Sequence, residues 1–342
     1  MTGIPEQFAP RSRKPRFATL PDAPVRPRLL AEESRFALRL SLLAGATEIC
    51  AFAAFARLCA DRSFAGAVVW AALRVARPLW AFLGTRVPRG AVAFALVAAS
   101  LLVQGWALFS LRPDETLLAA AAALPAVGDL CATCLGDRIP LDRRAAAWSY
   151  LDVGQGLGAA VGLAAGAAEP RLSPVFAAVA LLVGSIAIPD LRGGPERGTW
   201  PLWLRASAAR TPFGAQGAVI AFAIGGFASA ALAGTPVPRW AAIAAPLAGM
   251  WIAARLDPRT RNAVILPRAL AVLAAGCAVV RGAGPWPIAA GTAALLLFGA
   301  AASALPASVA RGSGEMERPL VSSLLWSALS LGAGVALAAV SW

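Results

Sequence analysis

Eleven apolar stretches of about twenty residues each, parted by short arginine-bearing loops, oblige this chain to cross a lipid bilayer repeatedly. They lie near residues 37–57, 65–84, 91–110, 117–136, 146–166, 173–189, 213–233, 240–254, 264–280, 287–309 and 320–341. About twenty residues rising ~1.5 Å each match the ~30 Å hydrocarbon core of a membrane. Lipid offers no partner to a bare backbone amide or carbonyl, so spans of this length are helices. The chain is 58% hydrophobic and 14% charged, with a mean hydropathy of +0.67; soluble domains carry about 25% charged residues. The predicted fold class is all-α: a polytopic membrane protein of about 11 transmembrane helices.

The basic residues set the orientation. With the N-terminus inside, the inner loops and tail hold twenty-three basic residues and the outer loops five: Arg62, Arg112, Arg171, Arg239 and Arg281. Such an excess marks the cytoplasmic side, which puts the N-terminus in the cytoplasm and, after eleven spans, the C-terminus in the periplasm. It also accounts for the net charge of +13 without invoking nucleic acid. Residues 1–35 read as a disordered basic tail, rich in proline and arginine and with no cleavable signal peptide. Residues 36–190 form a first bundle of six helices, 191–212 a basic cytoplasmic linker, and 213–342 a second bundle of five. The arginine-rich, lysine-poor composition points to a bacterial cytoplasmic (inner) membrane.

The fifth span carries the clearest packing signal. Gly154, Gly158, Gly162 and Gly166 recur every fourth residue on one helical face, a seam that lets a second helix approach closely in lipid. Asp152 sits on the same helix. Ionisable residues inside spans are costly and face a protein interior or a wet cavity. In the first bundle these are Glu48, Arg74, Arg77, Asp129 and Asp152. Glu48 lies roughly 13 Å above Arg39 and Asp152 roughly 12 Å above Arg144 by helical rise, with Asp129 at similar depth, and Arg74 and Arg77 share a face of span two. Two roles fit this set. Glu48 or Asp129 carries a proton with Arg74 as modulating charge, or the five residues form a static ion-pair network that locks the bundle.

The second bundle has almost no charge within its spans; its polar groups are Gln216, Ser229, Thr292 and Ser303. A solute held between such walls is apolar or amphipathic. Tryptophans near span ends, such as Trp70, Trp106, Trp148, Trp240, Trp286 and Trp342, read as interfacial anchors. Cys131 and Cys134 read as small residues at a helix contact rather than a metal site. The chain has no histidine and no phosphate-binding loop. It is therefore read as not an enzyme and as needing no cofactor or metal.

The halves echo each other. Pro78-Leu79 followed by Arg86 and Pro88-Arg89 matches Pro246-Leu247 followed by Arg255 and Pro258-Arg259. Arg144 with Gly158 in the fifth span matches Arg318 with Gly332 in the last. Spans two and eight, and five and eleven, thus pair at an offset of six helices, as in duplicated transporters.

On these residues the chain resembles the major facilitator superfamily over about residues 36–342. The family's loop after its second helix, Gly-x-x-x-Asp-Arg-x-Gly-Arg-Arg, aligns with 81–90: Arg86 and Arg89 match, while Thr85 stands for the Asp and Pro88 for the Gly. The family's antiporter motif on the fifth helix is met by Gly158, Gly162 and Gly166, with Leu163 in place of the Pro and Ala167 in place of the last Gly. The resemblance implies two pseudo-repeated bundles (6 + 5), with the twelfth helix lacking, and a secondary transporter that works by alternating access. An alternative is a transport-inactive relative acting as a structural or assembly subunit, whose membrane partner covers the flank that the missing helix leaves. The partners expected are the bilayer and a small solute, with no nucleic acid.

Overall fold

A computed structural model of the chain describes residues 29–84, 87–110, 114–120, 124–191, 211–234, 237–255, 285–310 and 318–341. The described residues form helices joined by short turns, without a strand among them. The elements are α1 (Ala31–Asp61), α2 (Phe64–Val75), α3 (Arg77–Leu83), α4 (Arg89–Phe109), α5 (Glu115–Ala120), α6 (Ala126–Arg138), α7 (Leu141–Ala168), α8 (Ser173–Ser185), α9 (Thr211–Gly234), α10 (Arg239–Arg255), α11 (Pro285–Ala310) and α12 (Arg318–Ser341). Each of the sequence-predicted spans meets one helix or one pair of these, except 264–280. That span lies outside the described residues, as do Arg86, residues 1–28 and most of the linker. Ala31 to Arg35, expected in the tail, form the first turn of α1, where Glu33 accepts a hydrogen bond from the Leu30 backbone N–H at 2.8 Å. A carboxylate there satisfies an end amide and suits the positive end of the helix dipole.

The surface is that of a body in lipid. On α4, Ala93, Val97, Ser100, Gln104 and Ala107 are buried at helical spacing. The opposite face of the same helix exposes Phe94, Leu102 and Phe109. A helix apolar on its outer face as well as its inner one is not solvated by water. Helices α1, α4, α7, α11 and α12 are each long and apolar enough to cross a membrane.

Two corners show how local chemistry sets the path. Helix α1 ends at Arg62, whose φ of 51° is left-handed. Ser63 then caps α2 by accepting from the Gly66 amide at 3.0 Å, the usual role of a serine at that position. Span two is broken between Val75 and Arg77. Pro78 has no N–H to return to the Arg74 carbonyl four residues back, so the helix cannot run straight through.

Packing repeats across the two bundles. Helix α1 lies along α7, and α9 lies along α12; α10 lies along α11. Both long crossings are made at glycines. A Cβ on Gly158 would run into the Gly45 backbone, and one on Gly162 would stand 2.5 Å from the Ile49 carbonyl oxygen. In the second bundle a Cβ on Gly332 would run into the Phe222 backbone and one on Gly225 into the Leu329 backbone. The seam of α7 thus lies against α1, as small residues in lipid allow. The bundles meet where α2 and α3 touch α12, where α7 touches α10 and α11, and where α1 touches α9.

Two tryptophans depart from the expectation of interfacial anchors. Trp70 is fully buried, and Trp148 is buried with its indole N–H donating to the Ala132 carbonyl at 3.2 Å. Both face neighbouring helices rather than the lipid headgroups, which hydropathy near a span end does not distinguish. Trp106, Trp240 and Trp286 are exposed as expected.

The glycine seam makes a direct prediction. Gly158→Ala will lower stability by about 1–3 kcal/mol, because α1 and α7 must separate to admit the methyl group. Gly105→Ala, where an added Cβ meets nothing within 4 Å, will not lower stability, since alanine has the higher helix propensity. Thermal unfolding in a mild detergent compares the two; equal melting temperatures would show that the seam is not close-packed.

Candidate functional site

Four of the five ionisable residues singled out in the first bundle form one buried cluster. Glu48 projects from the middle of α1. Arg74 and Arg77 stand on either side of the break that Pro78 imposes. Asp129 sits in the first turn of α6, which begins inside the span after the turn at Leu124 and Pro125. A helix N-terminus there adds a favourable partial charge beside the carboxylate.

The geometry is closely paired. Glu48 accepts from Arg74 Nη1 at 2.9 Å through Oε2 and from Arg77 Nη1 at 2.8 Å through Oε1. Arg77 also holds Asp129 with two bonds, Nε to Oδ2 at 3.2 Å and Nη2 to Oδ1 at 3.4 Å. All four side chains are buried. Forked guanidinium–carboxylate pairs of this kind are the strong form of the interaction. Gly128, next to Asp129, leaves room for the Gln155 side chain and for Arg77 Nη2.

Asp152, the fifth residue of the expected set, is buried on α7 and accepts from Ser322 Oγ of α12 at 3.4 Å. The cluster itself therefore balances, two carboxylates against two guanidiniums.

The second bundle reaches the cluster through a serine face that sequence reasoning passed over. Ser330 Oγ accepts from Arg74 Nε at 2.7 Å, and Ser327 Oγ donates to the Arg74 carbonyl at 3.0 Å. The second bond takes up the carbonyl to which Pro78 has no N–H to give, beside the cap N–H of Ala76. The spacing of Ser322, Ser323, Ser327 and Ser330 places them on neighbouring positions of one helix surface, which was the available signal. Of the polar groups expected to matter in this bundle, Thr292 bonds its own backbone at Ile288, and Ser229 lies 4.0 Å from Cys59 Sγ. The side chains of Gln216 and Ser303 lie outside the described residues.

Aromatic rings enclose the guanidiniums. The Arg74 guanidinium carbon stands 5.1 Å from the Phe52 ring centroid, 5.2 Å from Trp70 and 6.0 Å from Trp326; that of Arg77 stands 5.5 Å from Trp326. Phe298 of α11 meets Phe52 edge-on at 5.3 Å. Rings from α1, α2, α11 and α12 thus fill the middle of the contact between bundles.

A second polar tie lies at the inner end. Arg89 is buried, pairs with Asp137 of α6 and donates to the Gly84 carbonyl that ends α3. Arg89 therefore joins three helix ends. Cys131 and Cys134 are buried on α6, and the Cys134 thiol donates to the Asp190 carbonyl at 3.7 Å.

The helices are arranged as in solved structures of membrane transporters. The chain superposes on crystal structures of a bacterial homolog to the human lysosomal transporter Spinster, inward-facing in both unoccupied and occupied conformations. The TM-score is 0.57, with 16% identity over 91% of this chain and 82% of that one. It is similar also to the human organic anion transporter MFSD10 (TETRAN), with a TM-score of 0.60 and 16% identity over 90% of this chain and 93% of that one. At this identity the likeness is one of fold: a multi-pass helical membrane protein built as two bundles. No protein-family model matches the sequence, and no curated protein does.

Removing Arg77 strips Asp129 of its partner and Glu48 of one of two. Arg77→Gln will therefore destabilise the protein by about 3–5 kcal/mol, the cost of an uncompensated buried charge. Adding Asp129→Asn to that variant will restore part of the loss. A double-mutant cycle on melting temperatures measures the coupling; strictly additive effects would show that the pair is not formed.

Proposed function

We propose that the chain is a secondary transporter. In this reading it moves a small apolar or amphipathic solute across a bacterial cytoplasmic membrane by alternating access, with its N-terminus inside. The Glu48–Arg74–Arg77–Asp129 cluster is its proton-coupling element. The observation that carries this reading is the double engagement of Arg74, which holds Glu48 in its own bundle and Ser330 in the other. Rocking of the bundles cannot leave that residue undisturbed. When α12 leaves α2, Arg74 loses the Ser330 oxygen and the cluster meets water. That water is a proton source for Glu48 or Asp129, and a proton on either carboxylate removes the charge that holds its guanidinium. Proton uptake at Glu48 or Asp129 and the movement of α12 are then linked, and linkage of this kind is reciprocal.

The excess of arginine on the inner loops supports the orientation, and the apolar walls of the second bundle support the solute class. Arg89, with Asp137 and Gly84, is the inner-end tie that has to loosen when the inner side opens. Arg86 is assigned the same end on the motif alone. No catalytic role is proposed. The close ring packing between bundles favours a second reading, a transport-inactive structural or assembly subunit that keeps this interface shut and meets a membrane partner at its flank.

One distance separates the two. Spin labels on Glu115→Cys and Arg239→Cys, at the outer ends of the two bundles, will report two populations in lipid nanodiscs whose ratio shifts between pH 8 and about pH 5, the range over which a displaced carboxylate protonates. Glu48→Gln and Asp129→Asn will remove the shift. A single distance at every pH, in the wild type and both variants, would favour the closed subunit.

A further inference from the structure

Three buried hydrogen-bond donors around the cluster have no acceptor among the described residues: Arg74 Nη2, Trp70 Nε1 and Trp326 Nε1. Their side chains are 0%, 0% and 2% exposed, so water does not serve them. They also lie together, since the Arg74 guanidinium carbon is 5.2 Å and 6.0 Å from the two indole ring centroids. Each unmade buried bond costs about 1–3 kcal/mol. Ring faces shield a guanidinium electrostatically but give its N–H groups no oxygen to bond.

The donor chemistry is one-sided. Arginine and the indole N–H can donate and cannot accept, so whatever completes this place brings acceptors. Beside a guanidinium the favoured acceptor is an anion. Arg74 is equipped for it: Nη1 is committed to Glu48 and Nε to Ser330, which leaves Nη2 for a ligand. Around the donors stand the rings of Phe52 and Phe298, which pack together here and would line an apolar body once α12 parts from α2. The donors come from both sides, Trp70 and Arg74 from α2 and Trp326 from α12, so the place forms only when the bundles come together.

We infer that this place takes the anionic head of an amphipathic solute, a carboxylate or sulfonate carried on an apolar body. Arg74 is its charge partner, and Trp70 and Trp326 donate to it. The inference rests on the transporter reading above and adds the charge of the solute. Access requires α12 to part from α2, and binding draws the two together again.

The test uses three probes with one ring system and different heads: naphthalenesulfonate, naphthylmethanol and naphthylmethylammonium. Equilibrium dialysis against the purified protein in nanodiscs will show the sulfonate binding at least tenfold more tightly than the alcohol, and the ammonium more weakly still. Trp70→Phe and Trp326→Phe keep a ring and delete the N–H. Each will weaken sulfonate binding about ten- to hundredfold, the loss of one hydrogen bond to a charged group. Melting curves without probe check that these variants are folded, and Arg74→Lys, which keeps the charge but not the fork, serves as a further variant. Equal or tighter binding of the alcohol or the ammonium, no binding of any probe, or unchanged sulfonate affinity in both folded Trp→Phe variants would overturn the inference. Flux into proteoliposomes keeps the two readings apart. Selective sulfonate binding without flux leaves the site standing and removes the transporter; flux of the probes without preference for the anion does the reverse.

Discussion

A guanidinium held away from water in the middle of a bilayer has to be paired, and most of this structure follows from pairing two of them. Arg74 and Arg77 stand three residues apart and fully buried. Taking each from water costs several kcal/mol even after relaxation. Glu48 on α1 and Asp129 on α6 supply the opposite charges, so the pairing ties four separate helices at one depth. Close approach of α1 to α7 then holds Glu48 in place, and glycines rather than large side chains permit that approach. The glycine seam and the ion pairs are thus parts of one device: the first brings backbones near, and the second exploits the nearness.

Pro78 extends the device across the interface. By removing one backbone bond it breaks span two and leaves the Arg74 carbonyl only the cap N–H of Ala76 within its own chain segment. Ser327 from the other bundle adds a second donor to it. Ser330 meets the guanidinium of the same residue, and a Cβ on Gly334 would come 2.5 Å from the Ala71 methyl. The join between bundles is therefore made at a local defect of one helix, by small polar groups of its neighbour. Such bonds are individually modest, on the order of 1 kcal/mol in membranes, and so can be broken and remade.

Much of this was legible in the sequence, for reasons of cost. Apolar stretches of spanning length have few alternatives in lipid, so the described helices fell where hydropathy put them. Charges within spans are expensive, so Glu48, Arg74, Arg77 and Asp129 announced themselves. Their pairing was not legible, because helical rise gives depth but not which faces meet; Asp152 shares the depth and takes the Ser322 hydroxyl. The serine face of α12 went unread because serine is cheap in a membrane helix and commonly bonds its own backbone. Trp70 went unread as a partner of the cluster for the opposite reason: tryptophan near the end of a span usually anchors at the lipid headgroups.

Rings and charges have opposite stakes in whether the bundles meet. An aromatic side chain buries about 150–250 Å². At about 25 cal/mol per Å², each ring wetted by opening costs about 4–6 kcal/mol, which favours the closed contact of Phe52, Trp70, Phe298 and Trp326. Hydration of a guanidinium or carboxylate returns several kcal/mol per ion, which favours opening. The two contributions act in opposite directions on the same contact. In the transporter reading proposed above, a proton on one carboxylate or an anion at Arg74 is what shifts the balance between them. A bundle contact made of rings alone would stay shut, and one made of charges alone would not close; this interface has both at the same place.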